Sequence, residues 1–295
     1  MLFDFSKLSP ADRQYYLHNA VAPRPICFAS TIDQKGNVNL SPFSFFNVFS
    51  SNPPIVIFSP ARRIRDNSVK HTLENVSAVP EVAINIVTLD MVQQQSLASC
   101  EFPKEVNEFE KAGFTATPAT RINPPLVKES KIQLECAVIE VKPLGNERGA
   151  GNLVICEVLC MHINDTLLDE NKKMDPRHLP LVGRLGEDWY TVVNEQNLFQ
   201  VPKPNTSLGM GIDSLPSAIR TSQILTGNDL GQLANFASIP PLDPAFQDPH
   251  LKQIVHYFSV NPDQMELEIH RYASQLLSKG EAGTAWQVLL YSVVS

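Results

Sequence analysis

The stretch from Ala22 to Phe58 constrains the fold more than any other part of the chain. Pro23 and Pro25 keep the backbone extended, because the residue before a proline is pushed out of the helical region. Ile26 to Ile32 is rich in strand formers. Asp33-Gln-Lys-Gly36 supplies a turn in which Gly36 is free to take positive φ, and Val38 to Leu40 starts the return strand. Asn52-Pro-Pro54 forces an extended entry into Ile55-Val-Ile-Phe58, a short and continuously apolar strand. Between the second and third strands lies Ser41-Pro-Phe-Ser-Phe-Phe-Asn47, which reads as a polar-aromatic loop.

The remaining chain continues this pattern and then departs from it. Pro10 to Ala20 predicts a short opening helix, with Ser9 as N-cap and Pro10 at its first position. Ser68 to Asn75 reads as a helix start capped by Asn67 or Ser68, and Leu89 to Ser99 as helical. Val82 to Val87 is another buried strand; Leu134 to Val141 and Leu153 to His162 are two long strands joined by a loop at Gly145 to Gly151. Many strands and few long helices favour a closed barrel over a doubly wound sheet. From Phe199 the character changes, so the chain divides into 1–198 and 199–295. Val201 to Gly209 is a linker by composition, followed by helical candidates at Ser217 to Phe236, Pro249 to Tyr257 and Met265 to Lys279. The apolar stretch Ala285 to Val294 is expected to pack on the barrel or on a partner chain. The tail as a whole is expected to cap a ligand pocket or extend a subunit interface.

Composition narrows the function. Among the 295 residues, 43% hydrophobic and 19% charged side chains fit a globular protein with a real core. No apolar run is long enough to span a bilayer and the first residues lack a secretory pattern, so cytoplasm is the default location and no membrane partner is expected. A net charge of −7 disfavours a nucleic-acid partner, which would require excess cations. Five cysteines without CxxC spacing exclude a disulfide framework. Cys156, Cys160 and His162 share parity on one strand, but four strand residues span roughly 13 Å, too far for both sulfurs to reach one ion. They read as packed groups, and no metal is expected. P-loop, HExxH, GxSxG and dinucleotide-fingerprint motifs are all absent.

Two readings stay open for the Phe-rich segment and the Lys70 region: ordinary core, as Phe-rich loops usually are, or a site for a flat ring with a polar edge and a phosphate. Ser41, Ser44 and Asn47 can hydrogen-bond the edge of a flavin, while Phe43, Phe45 and Phe46 supply apolar contact. Lys70 offers a point charge and Thr72 a hydroxyl to a phosphate, helped by a helix N-terminus. Arg62, Arg63 and Arg65 read equally as a small-anion site and as a solvated basic turn.

A resemblance supports this reading. Arg24-Pro-Ile26, Ser30-Thr31, Gly36, Asn39, Ser41-Pro-Phe-Ser44 and Asn52-Pro-Pro54, in that order, resemble the flavin reductase-like, FMN-binding split-barrel family, which includes flavoredoxins. Lys70-His-Thr72 resembles the Lys-Asp-Thr segment of such proteins, and Phe109-Glu-Lys-Ala-Gly113, Leu134-Glu-Cys136, Ile163-Asn-Asp165 and Gly183-Arg-Leu-Gly186 also match. The resemblance covers roughly residues 15 to 195. It implies a mainly β fold with flanking helices: an FMN-binding split β-barrel, here with a helical C-terminal extension. It implies FMN as cofactor, with Lys70 and Thr72 at the phosphate and Ser30 and Thr31 near the same part. Ser41, Phe43, Ser44, Phe45, Phe46 and Asn47 would form the ring-edge loop. Arg24 either supports that loop, or faces the site, or merely braces the barrel mouth. A homodimer with flavin near the subunit interface is also implied.

The implied activity is hydride transfer from NADH or NADPH to bound flavin and on to an acceptor, with no side chain marked as acid or base. Many flavin reductases of this group carry a Gly-Asp-His segment associated with nicotinamide use. Here the region reads Gly149-Ala-Gly-Asn-Leu153. The alternatives are therefore an electron carrier of flavoredoxin type serving a redox partner protein, or a flavin-binding protein without turnover.

Overall fold

The computed structural model describes residues 1–202 and 208–294, the side chains of 292–294 excepted. It comprises two compact units, Met1–Phe199 and Gln200–Ser295. Most of the linker read at Val201 to Gly209 lies outside the described residues.

The first unit is built on one seven-stranded sheet. Its strands are β1 (Cys27–Ile32), β2 (Val38–Phe43), β3 (Phe46–Ser51), β4 (Pro54–Phe58), β5 (Glu81–Ile86), β8 (Ile132–Pro143) and β9 (Asn152–Ile163). Two short ribbons accompany it, β6 (Ala116–Thr117) with β7 (Leu126–Val127), and β10 (Val182–Arg184) with β11 (Tyr190–Val192). The order in the main sheet is β2-β1-β5-β8-β9-β4-β3, every pair antiparallel. The two edge strands, β2 and β3, are consecutive in the chain and only Ser44 and Phe45 separate them. A flat sheet of seven strands would hold its edges about 29 Å apart. A link this short reaches at most about 11 Å. The sheet must therefore curl until its edges meet, which makes a barrel split along one seam.

Strand periodicity fills both faces of the curled sheet. Cys27 and Ala29 of β1 pack inside with Phe43, Val56, Phe58, Ile84, Cys136 and Cys156. Ile26 and Phe28 face a second core with Leu40, Met91, Phe109, Phe114 and Val182. That outer core is covered by α3 (Val92–Leu97) and α4 (Glu108–Ala112), while α1 (Pro10–Ala20) and α2 (His71–Ala78) flank the barrel. Ser9 caps α1 as its sequence predicts, accepting the Asp12 N–H at 3.1 Å.

Three expectations are corrected here. Ser41 to Asn47 is not a free loop: β2 runs through Phe43 and β3 begins at Phe46, so the segment is the seam. The N-cap position of α2 is held by Lys70, not by Asn67 or Ser68, and Asn67 takes φ 61° in the preceding turn. Cys156 and Cys160 do not share a face. Glu135 pairs with Cys160 and Cys136 with Val158, so Leu159 is a bulged extra residue that reverses parity. Cys156 enters the barrel core, whereas Cys160 and His162 stand on the other face beside Glu135.

The second unit is helical: α5 (Ser217–Arg220), α6 (Gly227–Ala234), α7 (Pro249–Tyr257), α8 (Pro262–Ser278) and α9 (Ala282–Val294). Ser217 to Phe236 is not one helix. The Ser222 hydroxyl accepts the Ile224 and Leu225 N–H groups, and a Thr226–Asp229 capping box then starts α6 afresh. The apolar end packs within its own unit. Ala285, Trp286, Val288 and Leu289 of α9 are fully buried in one core with Ile219, Leu233, Ile269 and Ala273. The Trp286 indole N–H donates to the Leu233 carbonyl at 3.2 Å. This core accounts for the apolar positions that prompted the expectation of packing on the barrel.

Because Trp286 centres that core, Trp286→Ala is expected to destabilise the helical unit by about 3–5 kcal/mol. Hydrogen exchange resolved by peptide checks this: protection should fall across α6, α8 and α9 and stay unchanged in β1, β5 and β8. Equal loss in both units would contradict separate cores.

Candidate functional site

The seam decides how the sequence-predicted residues are presented. Phe43 is buried and Phe46 half-buried, both against the barrel core, and Phe43 lies 5.3 Å from Phe58. Phe45 faces outward, edge-on to His18 at 5.2 Å between ring centroids. The Ser44 hydroxyl accepts the Arg24 Nε–H at 3.5 Å. Asn47 is exposed, and its Oδ1 accepts the Val48 N–H.

Among the alternatives left open for Arg24, its contacts are those of a brace at the barrel mouth. It is buried, and its guanidinium donates to the carbonyls of His18, Val21 and Leu185. It thereby ties the end of α1, the seam and the β10–β11 ribbon together, while lining a cleft of about 730 Å³. His18, Asn19, Ser44, Lys70 and Arg184 line the same cleft. Gly186 lets α1 approach, since a Cβ there would collide with the Asn19 side chain. Burial pushes the His18 imidazole below its ordinary pKa, and the charges of Arg24 and Arg184 push it further. His18 is thus held neutral, with its Nε2 buried and without a hydrogen-bond partner.

Lys70 joins this cleft to a small polar pocket of about 20 Å³ lined by Asn39, Ser41, Arg63, His71, Thr72 and Glu108 among others. The ammonium has no ion pair among the described residues, and the centre of the Phe43 ring lies 5.9 Å from Nζ. Burial pushes its pKa down and Arg63 adds repulsion, partly offset by the attraction of Glu101 and Glu108. Lys70 also begins α2 without any side-chain cap, so the first N–H groups of that helix lack a capping acceptor. A cation without an ion pair beside uncapped helix donors is the combination that anion binding requires.

A buried relay fixes this end of α2. Glu108 accepts the Leu40 N–H at 3.0 Å and the Asn39 amide at 2.8 Å, and Asn39 Oδ1 accepts the Thr72 hydroxyl at 2.7 Å. The Thr72 proton is therefore committed to Asn39. What Thr72 can offer an anion is its backbone N–H. Thr31 accepts from Asn75 of α2 at 3.1 Å, whereas the hydroxyl of fully buried Ser30 has no partner. Among the three arginines, only Arg63 lines the pocket. All three also build the turn: Arg62 holds Asn67, Arg65 pairs with Asp66 and Glu101, and Arg63 pairs with Glu101 at 2.8 Å and donates to Ser68 and the Val69 carbonyl. Glu108, His18 and Arg184 escaped the sequence reading. Glu108 directly precedes the Phe109-Glu-Lys-Ala-Gly113 match, the one signal that could have found it; His18 and Arg184 reach the cleft only through tertiary packing.

The comparisons with known proteins agree with this geometry. A family model described as "Flavin reductase like domain" matches residues 20–182. An uncharacterised protein of Aquifex aeolicus is 37% identical over 170 residues, covering 58% of this chain and 84% of that protein. Nitrilotriacetate monooxygenase component B from Bacillus cereus superposes with TM-score 0.63 at 25% identity, over 68% of this chain and 98% of that one. A flavin reductase-type structure with a split barrel domain from Shewanella frigidimarina gives TM-score 0.59 at 25% identity, over 69% and 99%. The chain belongs to the flavin reductase-like family, and its first unit has that family's split-barrel fold.

Lys70 yields a prediction that needs no ligand. Its folded pKa is depressed, so its protonated form opposes folding at neutral pH. That cost disappears as pH rises through the folded pKa toward the unfolded value of about 10.4. Lys70→Met should therefore raise the melting temperature of the ligand-free protein at pH 7. The gap from wild type should narrow as pH rises, which thermal melts at stepped pH would check.

Proposed function

We propose that this protein is an FMN-dependent oxidoreductase, using NADH or NADPH as electron donor. The observation that carries the reading is Lys70: a half-buried cation without an ionic partner, at an uncapped helix N-terminus, opening onto a cleft whose wall is the barrel seam. A flavin ring with a phosphate tail matches both halves of that arrangement. Lys70, Arg63 and the first N–H groups of α2 would hold the phosphate. By the resemblance Ser30 and Thr31 would stand near the same part of the cofactor; both are fully buried, and the Ser30 hydroxyl has no partner among the described residues. Ser41, Ser44, Asn47 and the backbone between Phe43 and Phe46 would hydrogen-bond the ring, with Phe43, Phe45 and Phe46 as its apolar surroundings. Thr72 acts through its backbone and by fixing Asn39.

When bound, FMN supplies the redox chemistry, taking hydride from the donor and passing electrons to an acceptor. The chain's own part is orientation and electrostatics. Arg24 fixes the seam and His18 presents a neutral imidazole to the cleft. No group is positioned here as an obligatory acid or base.

One observation favours a second reading, a flavoredoxin-type carrier that does not use nicotinamide. In the segment 149–153, Asn152 is buried with its amide given to the Pro60 carbonyl at 2.9 Å, so it is unavailable to a donor. Steady-state assays with each nicotinamide and added FMN separate the two: turnover supports the reductase, and retained flavin without turnover supports the carrier. In either case, Lys70→Met should weaken FMN binding roughly 10- to 100-fold, the loss of one charge-assisted contact of about 1.5–3 kcal/mol. Flavin fluorescence quenching measures this, and unchanged affinity would remove Lys70 from the site.

A homodimer is part of the proposal. The edge strand β3 leaves Val48 and Phe49 65% and 62% exposed, apolar area suited to a second copy of this chain. Light scattering should give twice the chain mass, and Phe49→Glu should shift the population toward monomer.

A further inference from the structure

We propose that Glu135, Cys160 and His162 form a binding site for one zinc ion on the outer face of the β8–β9 pair. A carboxylate oxygen, a thiol sulfur and an imidazole nitrogen from these residues all lie within 4.8 Å of one another. That spacing brings three ligands of the types zinc prefers around a common point, and water would complete a tetrahedron.

The backbone builds this site through the bulge at Leu159. Without it, Cys160 would follow Cys156 into the barrel core. With it, Cys160 stands directly across from Glu135, and His162, two residues along β9, shares its face. Glu135 is fully buried and fixed before any ion arrives. Its Oε1 accepts the Thr120 N–H at 2.8 Å and its Oε2 the Arg121 N–H at 2.6 Å. Second bonds of this kind orient a carboxylate ligand and leave lone pairs for a metal. His162 turns Nε2 toward the same carboxylate at 2.6 Å, and its side chain is 37% exposed. An ion can thus enter from solvent and replace that hydrogen bond and the contact of the Cys160 thiol with the same carboxylate. The Arg121 guanidinium is held on the Leu159 carbonyl at 3.3 Å, where its charge favours a thiolate at Cys160.

Binding is balanced by release of the Cys160 thiol proton to solvent, giving a zinc thiolate beside a neutral imidazole and a carboxylate. Nothing is oxidised or reduced. The three residues line neither the cleft nor the polar pocket, so this site does not depend on the flavin reading. The ion would lock the bulge of β9 to β8 and, through Glu135, to the turn at Thr120 and Arg121.

The test is titration of the full-length, fully reduced protein with Co²⁺, then Zn²⁺. One equivalent of Co²⁺ should produce a cobalt–thiolate charge-transfer band, which Zn²⁺ should abolish by displacement. Cys160→Ser should remove the band and His162→Ala should weaken Co²⁺ binding at least tenfold, whereas Cys100→Ser should change nothing. Cys160 and His162 are both partly exposed, so circular dichroism should show these variants folded. Failure to bind a stoichiometric ion, a band that survives Cys160→Ser, or a band lost in Cys100→Ser would overturn the assignment.

Discussion

Only two residues, Ser44 and Phe45, connect the two edge strands of a seven-stranded sheet, and most of the β unit follows from that short tether. It forces the sheet to curl, and it places the chain's richest mixture of hydroxyls and aromatics at the line where the curl fails to close. The two-residue link then sorts the aromatics, because Phe43 ends β2, Phe46 begins β3 and Phe45 lies in the link between them. Phe43 and Phe46 go inward and help fill the barrel, while Phe45 stays at the surface beside His18. The residues that stabilise the closure and those that would meet a ligand are thus neighbours in sequence.

Around the seam, buried polar groups do work that apolar packing cannot. Arg24 has no carboxylate partner but three backbone carbonyls and a serine, which makes it a brace between segments far apart in sequence. Glu108, Asn39 and Thr72 fasten the N-terminus of α2 to β2. Burial raises the Glu108 carboxyl pKa, opposed by the N–H donors it holds. Both networks keep their members satisfied, as buried polar groups must be. Among the described residues, the buried groups without a hydrogen-bond partner include the Ser30 hydroxyl and the His18 Nε2, and the Lys70 ammonium has no ion pair.

Much of this was legible in the sequence because it is local. Proline and glycine placed the β1–β2 turn and the entry to β4, and Ser9-Pro10 announced α1. Lys70 and the 41–47 segment were recognisable from residue type and order. What could not be read depends on long-range register. A single bulged residue, Leu159, reverses the face on which Cys160 lies, and no periodicity argument predicts where a strand pair will slip. Glu108 gains its role only through β2, whose Asn39 side chain and Leu40 N–H it binds across 69 and 68 residues of sequence. The apolar final helix gave no hint that its own unit holds enough partners to bury Trp286 completely.

A flavin held at the seam through its phosphate would distinguish two ligands that share a ring and differ in that phosphate, FMN and riboflavin. Equilibrium binding of each should be measured on the purified full-length protein by visible absorbance. FMN should bind, and riboflavin should bind at least about tenfold more weakly, the contribution of Lys70 and the α2 N-terminus to one phosphate. Equal affinities would remove the anchor, and binding of neither would remove the flavin site.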